Sequence, residues 1–165
     1  MSSQSPRSWV VMKFGGTSVS SRSRWETIAS EVRRVIDSGE RPLIVCSALS
    51  GVTSALEAIL DATSEGHPEQ ALAQLRARHQ QLADDLGVDL HALIGEQLAA
   101  LDKRVLGAAL IGETPPRLRA RVMAAGELMS TRLGAAFLQA QGLQTDWVDA
   151  RAHLRSLDPA SAPIE

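Results

Sequence analysis

The run SWVVMKF, Ser8–Phe14, is apolar at nearly every position and is cut off by Gly15-Gly16. Such a run is typical of a parallel strand buried on both faces. Residues 20–38 follow with apolar side chains at helical spacing, and Gly39 stands where a helix would stop. A second continuous apolar run occupies Pro42–Ala48. Strand, helix and strand in this order predict a βαβ unit with parallel strands and a right-handed crossover.

The middle of the chain is helical in pattern. A helix capped by Thr53 or Ser54 is expected first. Apolar residues, mostly leucines, then recur every three or four positions over 72–86 and again over 90–105. The Gly-Val-Asp break at 87–89 separates these two stretches. This pattern predicts an antiparallel helical hairpin.

The last third of the chain predicts one long helix and a strand. Thr114 is expected to cap the helix, with Pro115 in its first turn. Helical spacing then continues to Gly142. The segment QTDWVD, residues 144–149, is interpreted as a third strand.

Length and composition indicate one globular domain. We expect a disordered extension at 1–8, a folded domain at 9–151, and a disordered tail at 152–165. Hydrophobic residues make up 44% of the chain, with an aliphatic bias that suits helices packed on a sheet. A formal net charge of -2 without a basic run argues against nucleic-acid binding. No stretch approaches the roughly 20 apolar residues of a membrane span, so a cytoplasmic protein is expected.

Two side chains with catalytic potential are better interpreted as core residues. Cys46 is the single cysteine, lies in the second apolar run, and has no base beside it in sequence. His79 lies on the apolar stripe of a predicted helix. We therefore favour a core role for each over a catalytic one.

The first polar segment with chemical potential is Lys13–Ser18. It places a cation at a strand end, two glycines in the turn, and the hydroxyls of Thr17 and Ser18 before a helix. Glycine lets backbone N–H groups approach a phosphate closely, and a helix N-terminus adds positive potential. Lys13 could neutralise charge on a transferred phosphoryl group. The segment is neither a P-loop nor a Gly-x-Gly-x-x-Gly motif. An ordinary tight turn remains the alternative.

Two further segments lie at the ends of predicted elements. SALSGVT, residues 47–53, offers hydroxyls and backbone donors at a helix start, which suit a carboxylate or phosphate. Helix capping alone is the other interpretation. AGELMS, residues 125–130, contains Glu127, which is either a solvated helix residue or the acceptor of a substrate ammonium. In the second case, a charge-assisted hydrogen bond would contribute about 1.5–3 kcal/mol.

Together these segments resemble the aspartokinase family within the amino-acid kinase superfamily. KFGGTSV at 13–19 matches the opening motif of that family residue for residue. SA-x-SGVT at 47–53 matches its second motif, and GE-x-x-S at 126–130 matches its third. W-x-D-x-R at 147–151 is similar to the strand end that follows. The resemblance extends over residues 10–151.

The resemblance implies a three-layer αβα fold with a mainly parallel sheet, here with a helical hairpin in the middle. It implies transfer of the ATP γ-phosphoryl group to the β-carboxylate of L-aspartate with Mg²⁺, the first step of lysine, threonine and methionine biosynthesis. It also implies residue roles. Lys13 contacts the phosphates, and Gly15, Gly16, Thr17 and Ser18 lie in the same pocket; Ser47 and Thr53, with Ala48 beside them, hold the substrate carboxylates, and Glu127 receives the α-ammonium.

The match to the family is incomplete. The later Gly-Arg-Gly-Gly-Ser-Asp type segment, the further nucleotide-binding residues and the regulatory domains of the family have no counterpart after Arg151. We therefore expect a truncated enzyme that is inactive alone, since phosphoryl transfer depends on positioning. Apolar surface uncovered by truncation would favour self-association, so a homo-oligomer is expected.

Two other functions stay open at this point. One is a non-catalytic binding or assembly module derived from an amino-acid kinase domain. The other is a superfamily member that acts on glutamate, carbamate or a nucleotide. The aspartokinase interpretation requires that Lys13, residues 47–53 and Glu127 gather at one cleft.

Overall fold

The computed structural model describes residues 8–63 and 68–154. Strand β1, Trp9–Phe14, pairs in parallel with strand β2, Arg41–Cys46. Helix α1, Arg22–Asp37, connects them, so the predicted βαβ unit is confirmed. The expected disordered ends lie outside the described residues except for residue 8 and residues 152–154.

Five more helices follow in the described part of the chain. No further strand intervenes among them. Their bounds are α2 Val52–Ala62, α3 Glu69–Leu86, α4 Leu90–Ile111, α5 Pro116–Met123 and α6 Ala125–Ala140.

Helix α2 begins two or three residues earlier than a cap at Thr53 or Ser54 predicts. Gly51 occupies the cap position with a φ of 76°, which glycine adopts without strain. The chain therefore turns into the helix at Gly51, and Thr53 and Ser54 lie inside the first turn. The prediction that one of these two hydroxyl residues caps the helix is wrong.

The helical hairpin is confirmed. Gly87, with a φ of 71°, ends α3. Asp89 begins α4 by accepting the backbone N–H groups of His91 and Ala92 at 2.9 and 3.1 Å. These bonds satisfy two amides that the first turn would otherwise leave without partners. Sequence periodicity ended at Val105, whereas α4 continues to Ile111.

The long helix predicted after Thr114 is two helices. Pro115, and not Thr114, stands at the cap of α5, and the helix stops at Met123. Ala124 separates α5 from α6. This break places Gly126, at the start of α6, directly against Val52 and Leu56 of α2.

The predicted third strand is not formed. Residues 143–149 make no ladder with β1 or β2, and the sheet of the described residues has two strands. The segment instead packs on α6. Trp147 donates from Nε1 to Thr131 Oγ1 at 2.9 Å, and the Arg132 guanidinium lies 4.1 Å from the centre of the same ring system. The segment therefore packs on a helix and pairs with neither free edge of the two-stranded sheet.

Helices cover one face of the sheet. Met12, Phe14, Ile44 and Cys46 pack against the helical core. The opposite face is exposed in the described residues, with Val11 at 65% of its full accessibility. The expectation that the strands are buried on both faces is therefore wrong for this part of the chain. The second helical layer of the expected sandwich does not come from the described residues. The exposed apolar side chains on this open face are Trp9, Val11, Leu43 and Val45.

Candidate functional site

The glycine-containing segment forms a tight turn at the carboxyl end of β1. Gly15 is extended, and a single 3-10 turn follows at Gly16–Val19. The Ser18 N–H donates to the Gly15 carbonyl at 2.9 Å. A Cβ built on Gly15 would meet nothing within 4 Å, so the backbone is open to solvent at this point. Such open backbone is what close approach of a phosphate requires.

Gly16 presses the first segment against the second. A Cβ built on Gly16 would lie 2.8 Å from the Ala48 carbonyl oxygen and 3.2 Å from the Ser50 nitrogen. A side chain at this position would clash with backbone, which cannot move away as a flexible side chain would. The motif therefore needs glycine here because two backbones touch.

Ser47 joins the second segment to both neighbours. Its N–H donates to the Phe14 carbonyl at 3.0 Å and so continues the sheet ladder by one bond. Its carbonyl accepts from the buried Ser130 hydroxyl at 2.8 Å. A Cβ built on Gly126 would lie 2.9 Å from side-chain carbons of Ala48 and Val52. The third segment is thus packed directly onto the second.

All three segments consequently meet at the carboxyl edge of the two strands. This edge is where open α/β sheets bind their ligands. The contacts join backbones and small side chains, whereas the larger polar side chains stand around them. Lys13 is exposed, in line with Trp9 and Val11 on the open face of β1. Glu127 is half-buried in the first turn of α6, on the helical side.

The predicted side-chain cleft, with Lys13, residues 47–53 and Glu127 gathered at one rim, stays a prediction. Lys13 and Glu127 make no ion pair with each other or with another described residue. Thr53 is exposed on the first turn of α2, and Ser47 and Ala48 lie at the segment contact. That these groups grip one ligand stays a prediction.

Two positions that sequence reasoning missed hold the second segment. The Ser20 hydroxyl accepts the Ser50 N–H at 2.9 Å, and Arg78 donates from Nη1 to the Ser50 carbonyl at 3.0 Å. Ser20 follows the first motif closely and could have been suspected. Arg78 carries no sequence signal, because it comes from the hairpin. An open cavity of about 320 Å³ adjoins these contacts, lined by Ser20, Leu49, Ser50, Arg78, Gln81, Leu82 and Asp85.

Cys46 and His79 have the surroundings of core residues. Burial raises the pKa of the Cys46 thiol to about 11, so the thiol is protonated at neutral pH and a weak nucleophile. His79 is fully buried, and its Nδ1 lies 2.8 Å from the Leu75 carbonyl oxygen. Burial lowers the pKa of His79, which keeps the ring neutral. Both observations agree with the structural interpretation.

The W-x-D-x-R segment ends in a compact ion pair. Asp149 accepts the Arg151 backbone N–H at 3.0 Å and pairs with its guanidinium at 2.6 Å. The hydrogen bond from the Arg151 side chain lowers the pKa of Asp149. Asp149 thereby caps the 3-10 turn Ala150–Ala152.

Residues 8–63 and 68–154 contain neither a cluster of metal ligands nor a membrane-spanning helix. No group of three or more His, Cys, Asp or Glu side chains in this part is placed to hold a metal ion. None of its helices combines the length and apolar character needed to cross a bilayer.

Comparison with known proteins places the chain in a family. The sequence model of the amino acid kinase family matches residues 8–164. This chain belongs to the amino acid kinase family. It is 34% identical over 145 residues to the chloroplastic Aspartokinase 3 of Arabidopsis thaliana, covering 85% of this chain and 25% of that protein. It is 34% identical over 143 residues to the Aspartokinase of Chlamydia muridarum, covering 86% of this chain and 30% of that protein.

A solved structure agrees with the sequence comparisons. The crystal structure of E. coli aspartokinase III in complex with aspartate and ADP superposes with a TM-score of 0.77 at 30% identity. The match covers 93% of this chain and 33% of that one. The predicted resemblance to aspartokinases and the amino-acid kinase fold class are thereby confirmed. The chain spans about a quarter to a third of the length of these relatives.

Proposed function

We propose that the protein containing this chain is an aspartate kinase, which transfers the γ-phosphoryl group of ATP to the β-carboxylate of L-aspartate. Relatives named as aspartokinases support the reaction class. The structural neighbour, by its name, binds aspartate and ADP. The observation that carries the proposal is the contact of all three motif segments at one sheet edge, through Gly16, Ser47 and Gly126.

On the acceptor side, the proposal assigns the carboxylates of aspartate to the 47–53 segment. Ser47 contributes a hydroxyl next to the strand end, and Thr53 contributes another in the first turn of α2. A helix N-terminus favours a negative charge through its unpaired amides. Glu127 has no ion-pair partner among the described residues and would receive the α-ammonium. The amides at the start of α2 and the carboxylate of Glu127 would then orient the negative and positive groups of aspartate.

On the phosphate side, the exposed ammonium of Lys13 and the open backbone at Gly15 fit a nucleotide's phosphates. Thr17 and Ser18 follow in the same turn. Lys13 would stabilise charge on the phosphoryl oxygens as transfer proceeds. Mg²⁺ would neutralise phosphate charge, but the described residues offer no cluster of metal ligands, and we assign none to it.

The first test measures aspartate binding by steady-state kinetics on the complete protein. Glu127→Gln keeps the size of the side chain and removes its charge. We expect the KM for aspartate to rise about 10- to 150-fold, equivalent to 1.5–3 kcal/mol, with the KM for ATP nearly unchanged. Glu96→Gln, at an exposed position of α4, is the matched control. An unchanged KM for aspartate would remove Glu127 from its assigned role.

The second test concerns turnover. Lys13→Ala should lower kcat by about 10²- to 10³-fold, because an electrostatic stabiliser of the transition state is lost. Glutamate, carbamate and nucleotides should be offered as alternative acceptors to the unsubstituted protein. Faster phosphorylation of one of these than of aspartate would favour another superfamily activity. Tight aspartate binding without any ATP-dependent turnover would favour a non-catalytic module.

Activity of the isolated chain, assembly and location are further proposals. We propose that the 165-residue chain alone is inactive, because it spans about a third of the structural neighbour. Phosphoryl transfer requires every group that positions the nucleotide and the acceptor. We also propose a cytoplasmic homo-oligomer, with the exposed apolar sheet face as a contact surface. Aspartyl phosphate formation by the purified chain would contradict its inactivity, and a monomer at all concentrations in sedimentation would contradict self-association.

A further inference from the structure

The Ser50 backbone is held at both of its polar groups by side chains from outside its own segment. Its N–H donates to Ser20 Oγ at 2.9 Å, and its carbonyl accepts from Arg78 Nη1 at 3.0 Å. Ser20 precedes α1, and Arg78 belongs to α3 of the hairpin. Neither residue belongs to the motif segments, so the motif matches do not account for these two bonds.

Ser20 also bonds the other side of the site. Its hydroxyl donates to the Gly16 carbonyl at 2.5 Å while it accepts from Ser50. A single hydroxyl therefore bridges the glycine turn and the 47–53 segment. The two backbones already touch at Gly16, where no Cβ would fit. Contact keeps the segments from approaching further, and the Ser20 bridge keeps them from separating.

Arg78 holds the middle of the segment, at Ser50 and next to Gly51. Its Nη1 atom lies 2.9 Å from the point where a Cβ on Gly51 would stand. Gly51 has a φ of 76°, so the guanidinium lies against a backbone that only glycine adopts without strain. Arg78 lines the open cavity beside this turn, together with Gln81 and Asp85 from the same helix. The hairpin thus contacts the candidate site through one polar side chain of α3.

We propose that Ser20 and Arg78 are positioning residues: Ser20 sets the distance between the acceptor-binding segment and the phosphate-binding turn, and Arg78 holds the acceptor-binding segment from the hairpin. The proposal rests on the proposed aspartate kinase function, which gives those two segments their roles. Phosphoryl transfer needs the reacting atoms within about 3–3.5 Å, and a misplacement of about 1 Å can cost about 10²-fold in rate. A hydroxyl that spans the two segments controls that separation directly.

The principal test is Ser20→Ala in the complete protein. We expect kcat to fall about 10- to 100-fold, because the turn and the segment can then separate. Ser20→Thr retains the hydroxyl and should recover most of the lost rate. Ser30→Ala, an exposed serine of α1, is the matched control and should stay within about twofold of the unsubstituted protein. Recovery by threonine distinguishes positioning through the hydroxyl from a general loss of stability.

Arg78→Gln tests the other contact and remains informative if Ser20→Ala fails to fold. Loss of the bond to the Ser50 carbonyl should raise the KM for aspartate about 10-fold and leave the KM for ATP within about twofold. Arg76→Gln is the control, because Arg76 lies on the same helix and pairs with Asp102 of α4, away from the segment. Equal effects of the two arginine substitutions would contradict a specific role for Arg78.

Hydrogen exchange separates failure of this inference from failure of the proposed function. Amides of residues 47–53 should exchange faster in Ser20→Ala and Arg78→Gln than in both controls. If the unsubstituted protein phosphorylates aspartate and both variants keep its kinetics, the positioning roles are wrong and the function stands. If it does not use aspartate, faster exchange confined to the two variants still supports positioning, and unchanged exchange overturns it.

Discussion

The carboxyl edge of the sheet where residues 13–19, 47–53 and 125–130 meet, called the motif edge below, is packed in the opposite way to the helical hairpin of α3 and α4. At the edge, Gly16 and Gly126 let backbones and small side chains approach so closely that an added Cβ would lie within 3 Å of a neighbour. In the hairpin, large aliphatic side chains such as Ile94 and Leu101 fill the space between helices and are fully buried. Adding side-chain atoms should therefore destabilise the motif edge, whereas removing side-chain atoms should destabilise the hairpin.

The largest expected effect lies in the hairpin. Ile94→Ala removes buried aliphatic volume from α4 and should lower the free energy of unfolding by about 2–5 kcal/mol. Leu110→Ala on the same helix is the control, since Leu110 is 88% exposed, and it should change stability by less than about 0.5 kcal/mol. Urea unfolding followed by circular dichroism would measure both. Similar losses for the two variants would show that the hairpin is not held by buried volume.

At the motif edge, adding one methyl group should be enough to destabilise the protein. Gly126→Ala forces a Cβ to within 2.9 Å of Ala48 and Val52 and should lower the free energy of unfolding by about 1–3 kcal/mol. Gly107 is also helical but has nothing within 4 Å of a built Cβ. Gly107→Ala should therefore be neutral or stabilising by up to about 1 kcal/mol through helix propensity. The comparison fails if the two glycine substitutions give the same sign and size.

The smallest expected effect on stability concerns two buried polar side chains, one in each region. Ser130 at the motif edge donates to the Ser47 carbonyl, whereas His79 in the hairpin leaves Nε2 without a hydrogen-bond partner among the described residues. A neutral imidazole tolerates that position, but a second proton on the ring would be a buried charge without an acceptor. The hairpin should therefore be the acid-sensitive region.

The pH dependence follows from the lowered pKa of His79. The unfolded state binds a proton near pH 6.5 and the folded state only at lower pH, so the stabilising contribution is complete above about pH 6.5. It is lost as the pH falls below that value, by at most about 1.4 kcal/mol per pH unit. His79→Leu should remove this slope from the stability profile, while the exposed control His91→Gln should keep it. An unchanged slope in His79→Leu would assign the acid sensitivity elsewhere.

Local signals were sufficient for most elements of the fold. The spacing of apolar residues and the glycines that interrupt it predicted β1, α1, β2 and the hairpin, because each depends on residues close together in sequence. The predicted strand at 144–149 failed because a strand also needs a neighbouring edge, and Trp147 packs on α6 instead. The predicted single helix from Thr114 onward failed because its periodicity does not reveal the break at Ala124, beside the place where Gly126 packs onto Ala48.

For the candidate site, the order and content of the three motif segments could be read from the chain alone, and with them the family. Local chemistry specifies a glycine turn, a helix start and a strand end without reference to other parts of the molecule. The bridge through Ser20, the clamp from Arg78 and the side of the sheet on which Lys13 stands came only from the tertiary structure. Each of these depends on which distant backbones come within hydrogen-bonding distance, and packing of the whole chain decides that.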